Sequence, residues 1–200
     1  MDQEVQVSQF AQAEALRFAH QAGRRAKWHR SLMASWTFNE PWPNAHQGCI
    51  VEYSGIPKMA YYFVGSAMAI LDVSLEYKNI FVQPGETTKL GILADSELAF
   101  NTTVWAFVDI WLPNGTLVDR QEFGPVDVAA ASTRRLGEVI FHPPAELLGD
   151  VLLVHVQLIN KSGNSSSSKS QHWYTFGVAK ATEYAVANTT VTEPPFPLAA

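Results

Sequence analysis

The chain has 200 residues, of which 47% are hydrophobic and 16% charged, so it can form one or two domains with a substantial core. This composition excludes a disordered protein. The formal net charge of -5 provides no basic surface, so nucleic acid is not expected as a partner. The only cysteine, Cys49, excludes an internal disulfide and a cysteine-based zinc site, and the six histidines lack metal-binding spacing. We therefore expect neither a metal nor a cofactor.

Membrane insertion and secretion leave different signals in a sequence. No run of about 18 apolar residues occurs, so no membrane span is expected. The start, Met1-Asp2-Gln3-Glu4, is acidic and does not resemble a secretory signal peptide. Five asparagines nevertheless begin N-glycosylation sequons: Asn101, Asn114, Asn160, Asn164 and Asn188. Five sequons are more than chance predicts for this composition. The excess favours a secreted or lysosomal parent with surface loops at these sites, although a bacterial chain rich in Ser and Thr explains it equally well.

The first predicted element is a helix over residues 8–29, with Ser8 as its N-cap. Small residues and one Phe form a stripe that is expected to pack closely against a sheet: Ala11, Ala15, Phe18, Ala22 and Ala26. The helix dipole favours cations at the C-terminal end, where basic residues are expected to be solvated. These residues are Arg24, Arg25 and Arg30.

Between residues 32 and 69 the pattern changes twice. A buried strand is predicted over residues 32–38, because an apolar run ends abruptly in Asn, Glu and two prolines around Trp42. A loop interrupted by prolines follows to residue 57. A second helix is predicted over residues 58–69.

From Leu71 onward, hydrophobic residues recur with a period of two, which is typical of strands and marks a domain boundary. The candidate strands cover residues 71–77, 80–83, 86–93, 103–112, 116–123, 133–141, 151–159 and 171–176. Short strands at this spacing predict a β-sandwich.

Three local patterns refine the sandwich prediction. Asn114-Gly115 predicts a two-residue hairpin in which both residues have positive φ. One strand alternates cleanly, so one of its faces is expected to be buried. The apolar residues of that strand are Leu152, Val154, Val156 and Leu158. Residues 161–170 are rich in Ser, Asn and Gly and predict a mobile loop.

Aromatic, amide and acidic residues follow the predicted strand at fixed spacing. They form three groups: Trp36, Asn39, Glu40, Trp42 and Pro43, then Glu52 and Tyr53, then Pro57, Lys58, Ala60, Tyr61 and Tyr62. In order and spacing these residues resemble glycoside hydrolase family 2, especially its β-mannosidase and exo-β-glucosaminidase branch. That branch carries a W-x-x-N-[DE]-x-W-P segment, an acidic-Tyr pair and a P-K-x-A-Y-Y segment. The matching motifs cover roughly residues 9–62.

The resemblance implies a mostly β fold class, an immunoglobulin-like β-sandwich preceded by the last helix and strand of a truncated TIM barrel. Residues 1–69 would then be the C-terminal remnant of a catalytic (β/α)8 barrel, residues 70–180 the sandwich, and residues 181–200 a linker or tail. In this family the two catalytic glutamates lie on the fourth and seventh barrel strands, upstream of the helix that begins near residue 9. The resemblance therefore implies that this chain contains no catalytic residue.

Trp36 and Asn39 are the expected substrate-binding residues. An indole stacks well against the apolar face of a pyranose, and aromatic side chains at a barrel mouth commonly form such platforms. The resemblance implies the same role, since the family's tryptophan at this position lines the sugar site. The alternative for Trp36 is plain core filling. Asn39 is expected either to hydrogen-bond a sugar hydroxyl or to fix the loop.

Other polar and aromatic residues have structural interpretations. Glu40 is expected to cap backbone amides or pair with a nearby Arg, and Glu52 to hydrogen-bond to the preceding loop. Trp42 is expected to pack under the loop, and Lys58 to join barrel to sandwich through a salt bridge. Three tryptophans in strand patterns are expected in the core or between the sheets: Trp105, Trp111 and Trp173.

Two functions follow from these observations. The first is the C-terminal portion of a retaining, exo-acting, β-mannosidase-like glycosidase that hydrolyses terminal β-glycosidic bonds and is inactive as an isolated chain. Its partner would be a terminal β-linked sugar. The second is a free-standing β-sandwich module that binds carbohydrate or a protein partner. Because the first 65 residues would expose apolar surface without a barrel, an isolated chain should pack them onto its sandwich, form a homodimer or aggregate.

Overall fold

A computed structural model describes residues 3–30, 32–43, 48–162 and 165–180. In these ranges the chain forms two α-helices, α1 (Gln3–Arg25) and α2 (Met59–Ala67), followed by eight strands. The strands are β1 (Leu71–Glu76), β2 (Phe81–Val82), β3 (Thr88–Ser96), β4 (Thr102–Trp111), β5 (Leu117–Val128), β6 (Thr133–Phe141), β7 (Val151–Ser162) and β8 (Ser165–Val178). Within the same ranges, neither helix is long and apolar enough to cross a membrane. The predicted tail, residues 181–200, lies outside the described residues.

The strands form two sheets that share one hydrophobic core. One sheet has the order β1-β3-β6, and the other has the order β2-β8-β7-β4-β5. Neighbouring strands are antiparallel except β2 and β8, which run parallel. Immunoglobulin sandwiches likewise place their C, F and G strands in one sheet and their A, B and E strands in the other. The prediction of a mostly β chain with a β-sandwich is confirmed.

Every second residue of the central strands points into this core. In β7 the predicted alternation is confirmed, with four aliphatic residues fully buried: Leu152, Val154, Val156 and Leu158. The buried face of β4 comprises Val104, Ala106, Val108 and Ile110. Burial of each large aliphatic side chain contributes about 1.5–3 kcal/mol. Trp105 and Trp111 alternate with the buried residues of β4, and Trp173 alternates with those of β8, so all three lie on the outer face. Their predicted position in the core or between the sheets is therefore wrong, and Trp173 is half-exposed.

The hairpin between β4 and β5 differs in detail from the predicted two-residue turn. The Gly115 N–H donates to the Leu112 carbonyl at 2.9 Å, and the Leu112 N–H donates to the Thr116 carbonyl at 2.9 Å. Gly115 has a φ of 85°, whereas Asn114 has no positive φ. Pro113 explains the difference, because its fixed φ favours the first central position of a type I turn, which Gly115 then closes.

The prediction of a mobile loop over residues 161–170 is wrong for its described part. β7 continues to Ser162 and β8 begins at Ser165, with Asn160 opposite Ser167 and Ser162 opposite Ser165. Backbone pairing explains the error, because a ladder uses N–H and C=O groups that every non-proline residue carries. A polar sequence can therefore extend a hairpin that apolar residues have begun.

The sequons occupy different environments. Asn114 is exposed at the hairpin turn, and exposed Asn101 accepts a hydrogen bond from the Ala130 N–H at 3.0 Å. Asn160 is half-buried within β7, where its amide donates to the Thr102 hydroxyl. The expected surface loop is therefore wrong for this sequon. Asn164 and Asn188 lie outside the described residues.

α1 covers the edge strand β1. The Leu75 N–H donates to the Tyr174 hydroxyl at 3.2 Å, and Arg25 donates to the Leu75 carbonyl at 3.1 Å. Burial raises the pKa of Tyr174, so its phenol stays protonated and donates to Gln21 Oε1 at 2.9 Å. These contacts satisfy backbone groups that an edge strand otherwise leaves open to another chain.

The face that α1 buries is polar, contrary to the predicted small-residue stripe. Its buried residues are Ala13, Arg17, His20, Gln21 and Gly23, while Ala11, Ala15 and Phe18 are exposed. The helix also begins at Gln3 rather than after Ser8, whose hydroxyl donates to the Val5 carbonyl at 3.0 Å. α1 also packs on α2 through Ala13, in a small second core with Ile50 and Ala60. Polar side chains therefore dock the helix on the sandwich.

Asp95 of β3 is the centre of this docking. Its side chain is 5% exposed, pairs with the Arg24 guanidinium, and lies 3.0 Å from Lys27 Nζ. The Thr133 hydroxyl donates to its second oxygen at 2.9 Å, and Arg24 also donates to the Ala67 carbonyl at 2.9 Å. The expectation that Arg24 is solvated is therefore wrong, because the sandwich supplies its counter-ion.

We expect Asp95→Ala to lower the free energy of unfolding by about 3 kcal/mol, because removing one partner leaves buried cations unpaired. Urea unfolding followed by circular dichroism measures the change. Glu97→Ala is the control, since Glu97 also pairs with Lys27, at 2.7 Å, but is 48% exposed. It should cost less than about 1 kcal/mol. Equal losses in the two variants would contradict the central role of Asp95.

Candidate functional site

The segment after α1 does not form the predicted strand over residues 32–38. Among the described residues of this stretch, side chains alternate in exposure as in a strand, with Leu32 83% and Trp36 92% exposed. The described pairing is an isolated bridge between Asn39 and Val51. A strand requires a neighbour along its length, and local sequence cannot supply one. The strand prediction is therefore wrong for this structure.

Backbone hydrogen bonds fix the next few residues. The Val51 N–H donates to the Phe38 carbonyl at 3.0 Å, and the Glu40 N–H donates to the Val51 carbonyl at 3.2 Å. Asn39 lies between them with an exposed side chain. Trp36 precedes this anchored stretch and is joined to Thr37 by a cis peptide bond. Both predicted substrate-binding residues thus lie at the surface on one short segment, and their role stays a prediction.

Below this surface, Glu40, Cys49 and Lys58 form a buried polar cluster. Glu40 is 5% exposed and accepts hydrogen bonds from Lys58 Nζ at 2.6 Å and from the Cys49 thiol at 2.5 Å. Lys58 Nζ lies 3.2 Å from Cys49 Sγ. Glu40 therefore pairs with a cation, as its structural interpretation expected, but with a lysine rather than an arginine.

The charges in this cluster stabilise one another. The hydrogen bonds from Cys49 and then Lys58 lower the pKa of Glu40. Burial lowers the pKa of Lys58, but its bonds to Glu40 and Cys49 outweigh burial and the net pKa is raised. Burial and the Glu40 carboxylate raise the pKa of the Cys49 thiol, which stays protonated as a donor. An ionised, fully paired carboxylate is a poor proton donor, so the geometry favours a structural Glu40.

Of three further interpretations, those of Lys58 and Trp42 need correction. Lys58 was predicted to join barrel to sandwich, but the described salt bridge joins it to Glu40 within its own segment. Glu52 closes the turn that follows it, with its N–H donating to the Ile56 carbonyl at 2.9 Å, and its expected hydrogen bond to the preceding loop stays a prediction. Trp42 is 58% exposed, so it does not pack under the loop.

An apolar cleft of about 540 Å³ lies beside the segment. Its lining includes Phe38, Tyr61 and Tyr62, whose rings make edge contacts with centroids 6.5 and 5.4 Å apart. At its inner end His20 Nε2 lies 3.0 Å from the Ser35 hydroxyl. Burial, and then the charge of Arg24, lower the pKa of His20, which favours a neutral imidazole.

Sequence reasoning missed the cleft and the Cys49 contact. The signal available for the cleft was the aromatic pair in the third motif, but the partner rings lie more than 20 residues earlier in the chain. Within the described ranges, no group of three His, Cys, Asp or Glu side chains is arranged to hold a metal ion.

Comparison with known proteins gives a fold likeness. No family model matches the sequence, and no curated protein matches it. Among solved structures, the β-D-mannosidase from Dictyoglomus thermophilum matches 85% of this chain with 24% identity and a TM-score of 0.64. The exo-chitosanase CsxA from Amycolatopsis orientalis matches 86% of this chain with 15% identity and a TM-score of 0.66. The chain spans 19% of the length of each of these proteins.

These likenesses confirm, at the level of the fold, the predicted resemblance to β-mannosidases and exo-glucosaminidases. The aligned region is the C-terminal part of those enzymes. It includes more than the sandwich, because 85% of this chain exceeds the share occupied by the strands alone. The order of helices, motif segment and sandwich is therefore that of a known arrangement.

Glu40→Gln should lower stability at pH 7, and the difference from the wild type should shrink as the pH falls. Because the pKa of Glu40 is lower in the folded than in the unfolded chain, its ionisation stabilises the fold above the ordinary glutamate pKa of about 4.3. This contribution is lost as the pH falls through the folded pKa. The measurement is the urea unfolding midpoint of the wild type and the variant at a series of pH values from 7 downward. Glu86→Gln is the control, because Glu86 is exposed. A gap that stays constant with pH would contradict the ion pair.

Proposed function

We propose that the chain is the C-terminal portion of a retaining, exo-acting β-glycosidase of β-mannosidase type, which hydrolyses terminal β-glycosidic bonds. In this proposal residues 1–69 complete a (β/α)8 barrel with its last helix and strand, and residues 70–180 form an immunoglobulin-like sandwich. The support is the agreement of two independent observations. The motif residues from Trp36 to Tyr62 have the order and spacing of that family, and the fold resembles a β-D-mannosidase over 85% of the chain.

The observation that carries the proposal is the exposed apolar edge of residues 32–43. Leu32, Trp36, Phe38 and Trp42 are all more than half exposed. A soluble monomer rarely exposes so many large apolar side chains together. The neighbouring barrel strands of a complete enzyme would bury Leu32 and Phe38, whereas Trp36 and Trp42 would stay open at the mouth of the barrel. The isolated chain is expected to bury this edge by forming a homodimer.

Trp36 and Asn39 would bind the sugar in that enzyme. The indole of Trp36 presents a flat apolar face that suits the C–H face of a pyranose. The Asn39 amide offers a donor and an acceptor for a hydroxyl. Its backbone is fixed because the adjacent Glu40 is held in the buried cluster with Lys58 and Cys49. A rigid polar support of this kind keeps binding groups in place.

The chemistry would come from the rest of the enzyme. A retaining glycosidase needs two carboxyl groups about 5 Å apart, one as nucleophile and one as acid and then base. The family resemblance implies that both lie on barrel strands upstream of this chain. Glu40 is paired with Lys58 and Glu52 lies in a turn, which supports the same assignment. The chain alone should therefore be inactive.

The second candidate, a free-standing sandwich module that binds carbohydrate, is compatible with one observation. Trp173 of the sandwich is 49% exposed, far from the motif segment in sequence. A sugar-binding surface on the sandwich would serve either candidate, so it does not decide between them.

The test is a chimeric enzyme in which this chain replaces the aligned C-terminal part of the Dictyoglomus β-D-mannosidase. Hydrolysis is measured on p-nitrophenyl β-mannoside, β-glucosaminide, β-galactoside and β-glucuronide. We expect the chimera to cleave the mannoside or the glucosaminide and the 200-residue chain to cleave none. In the chimera, Trp36→Ala should lower kcat/KM by about tenfold or more, which corresponds to about 1.4 kcal/mol of lost stacking.

Trp42→Ala is the matched control, because Trp42 is exposed on the same segment but is not expected to stack on sugar. It should keep kcat/KM within about threefold of the parent chimera, which is less than about 0.7 kcal/mol. Hydrolysis by the chain alone would overturn the assignment of the carboxylates. A chimera that unfolds cooperatively yet cleaves none of the four substrates would favour the binding module.

A further inference from the structure

The outer face of the larger sheet carries a second aromatic surface. Residues on β7 and β8 that alternate with the core point outward, and in register His155 faces Trp173 and Gln157 faces Gln171. We call these four side chains the sheet platform. None of them belongs to the motif segment that ends at Tyr62.

Trp173 is the centre of the sheet platform. Its indole stacks on the His155 imidazole, with ring centroids 4.4 Å apart and planes inclined by 26°. The side chain is nevertheless 49% exposed. Because the imidazole covers one face of the indole, the exposed half of its surface is the opposite face and the ring edge. A flat aromatic face is thus presented to solvent beside polar groups.

The platform is held rigidly from behind. Arg17 of α1, which is 3% exposed, donates to the Trp173 carbonyl at 2.6 Å. The same guanidinium lies 4.3 Å from the centroid of the Tyr174 ring, on the buried side of β8. The backbone at Trp173 is therefore fixed both by the sheet ladder and by a buried cation. Rigid placement lowers the entropy cost of binding.

The polar groups around Trp173 are paired with one another. His155 Nε2 lies 3.3 Å from Gln171 Oε1. In the next strand, Asp109 lies opposite His155 and pairs with Arg120 at 2.6 and 2.9 Å. The surface therefore carries no excess charge for a nucleic acid or an ionic ligand. It offers amides, an imidazole and one aromatic face, which suit a ligand with hydroxyl groups and an apolar C–H face.

We propose that the sheet platform binds a neutral polysaccharide of β-linked pyranose units. One pyranose stacks on the open face of Trp173, and Gln157 and Gln171 bond its hydroxyls. Trp111, which is only partly exposed and has a buried indole N–H, lies on the same face. It is two strands away and two residues along, at a Cα separation of about 12 Å from strand spacing and rise. An oligosaccharide that stacks on Trp173 can therefore extend to the exposed part of Trp111, which a single terminal sugar cannot reach.

This inference goes beyond the proposed function, and only the choice of β-linked units rests on it. The proposed enzyme binds one terminal sugar at Trp36, whereas the sheet platform holds the body of a chain. It is a binding site on the sandwich and has no part in bond cleavage.

The experiment measures binding of the 200-residue chain to insoluble β-1,4-mannan by depletion from solution, and to mannohexaose by calorimetry. We expect Trp173→Ala to weaken binding by about tenfold or more, since it removes the stacking face. Trp173→Phe keeps a ring and should retain most of the affinity. Should Trp173→Ala unfold in urea at a clearly lower midpoint, Gln171→Ala takes its place, with an expected loss of about threefold.

Two controls separate this site from the proposed active-site surface. Trp28→Ala removes another exposed indole, one that donates to the Ala131 carbonyl, and should leave mannan binding unchanged. Trp36→Ala should also leave it unchanged, whatever its effect in the chimera. Binding by Trp173→Ala equal to the wild type would overturn the proposal. The proposal would also be overturned if the wild-type chain bound neither mannan nor mannohexaose. A loss of mannan binding in Trp36→Ala alone would overturn it as well.

Discussion

The structure depends on one constraint, which is that the cations buried on α1 and just after its end must each meet a partner on the sandwich. Arg17 reaches the Trp173 carbonyl, Arg24 pairs with Asp95, and Lys27 bonds to the Ser96 carbonyl at 2.9 Å. A buried charge without its partner costs several kcal/mol. The partners lie at two separate places, Trp173 on β8 and Asp95-Ser96 at the end of β3, so the helix is held at two points. Apolar packing alone would tolerate small shifts of such a helix, whereas directional bonds do not.

That placement links the two surfaces described above. α1 leads directly into the segment with Trp36, so fixing the helix fixes where that segment leaves the sandwich. The same helix supplies Arg17, which supports Trp173 from behind. It also covers β1, where the buried pair of His172 Nε2 and Asp72 Oδ1, 2.6 Å apart, joins the edges of the two sheets. A polar interface therefore positions two exposed tryptophans relative to one core.

The sequence predicted the sandwich well because strand patterns are local. Alternation in β7 identified Leu152 and Val154 as core, and the predicted bounds of β6 agree with the structure. The docking of α1 was not predictable in this way. Arg24 and Asp95 are 71 residues apart, and an arginine at a helix end normally signals solvent. The strand over residues 32–38 failed for a related reason, since a strand exists only beside another strand.

The candidate site also has features that the local sequence predicts and features that depend on the tertiary fold. The motif spacing identified Trp36 and Asn39 and placed Glu40 among structural residues, because residue types and intervals suffice for that. It did not reveal the hydrogen bond from the Cys49 thiol to Glu40. These residues are nine positions apart, and the loop must fold back on itself to bring them together. Nor did it single out Trp173, since the sequence of a strand does not by itself say whether a tryptophan faces the core or the solvent. Which face a tryptophan occupies is set by register, and register decides here between a core residue and a surface that can bind a ligand.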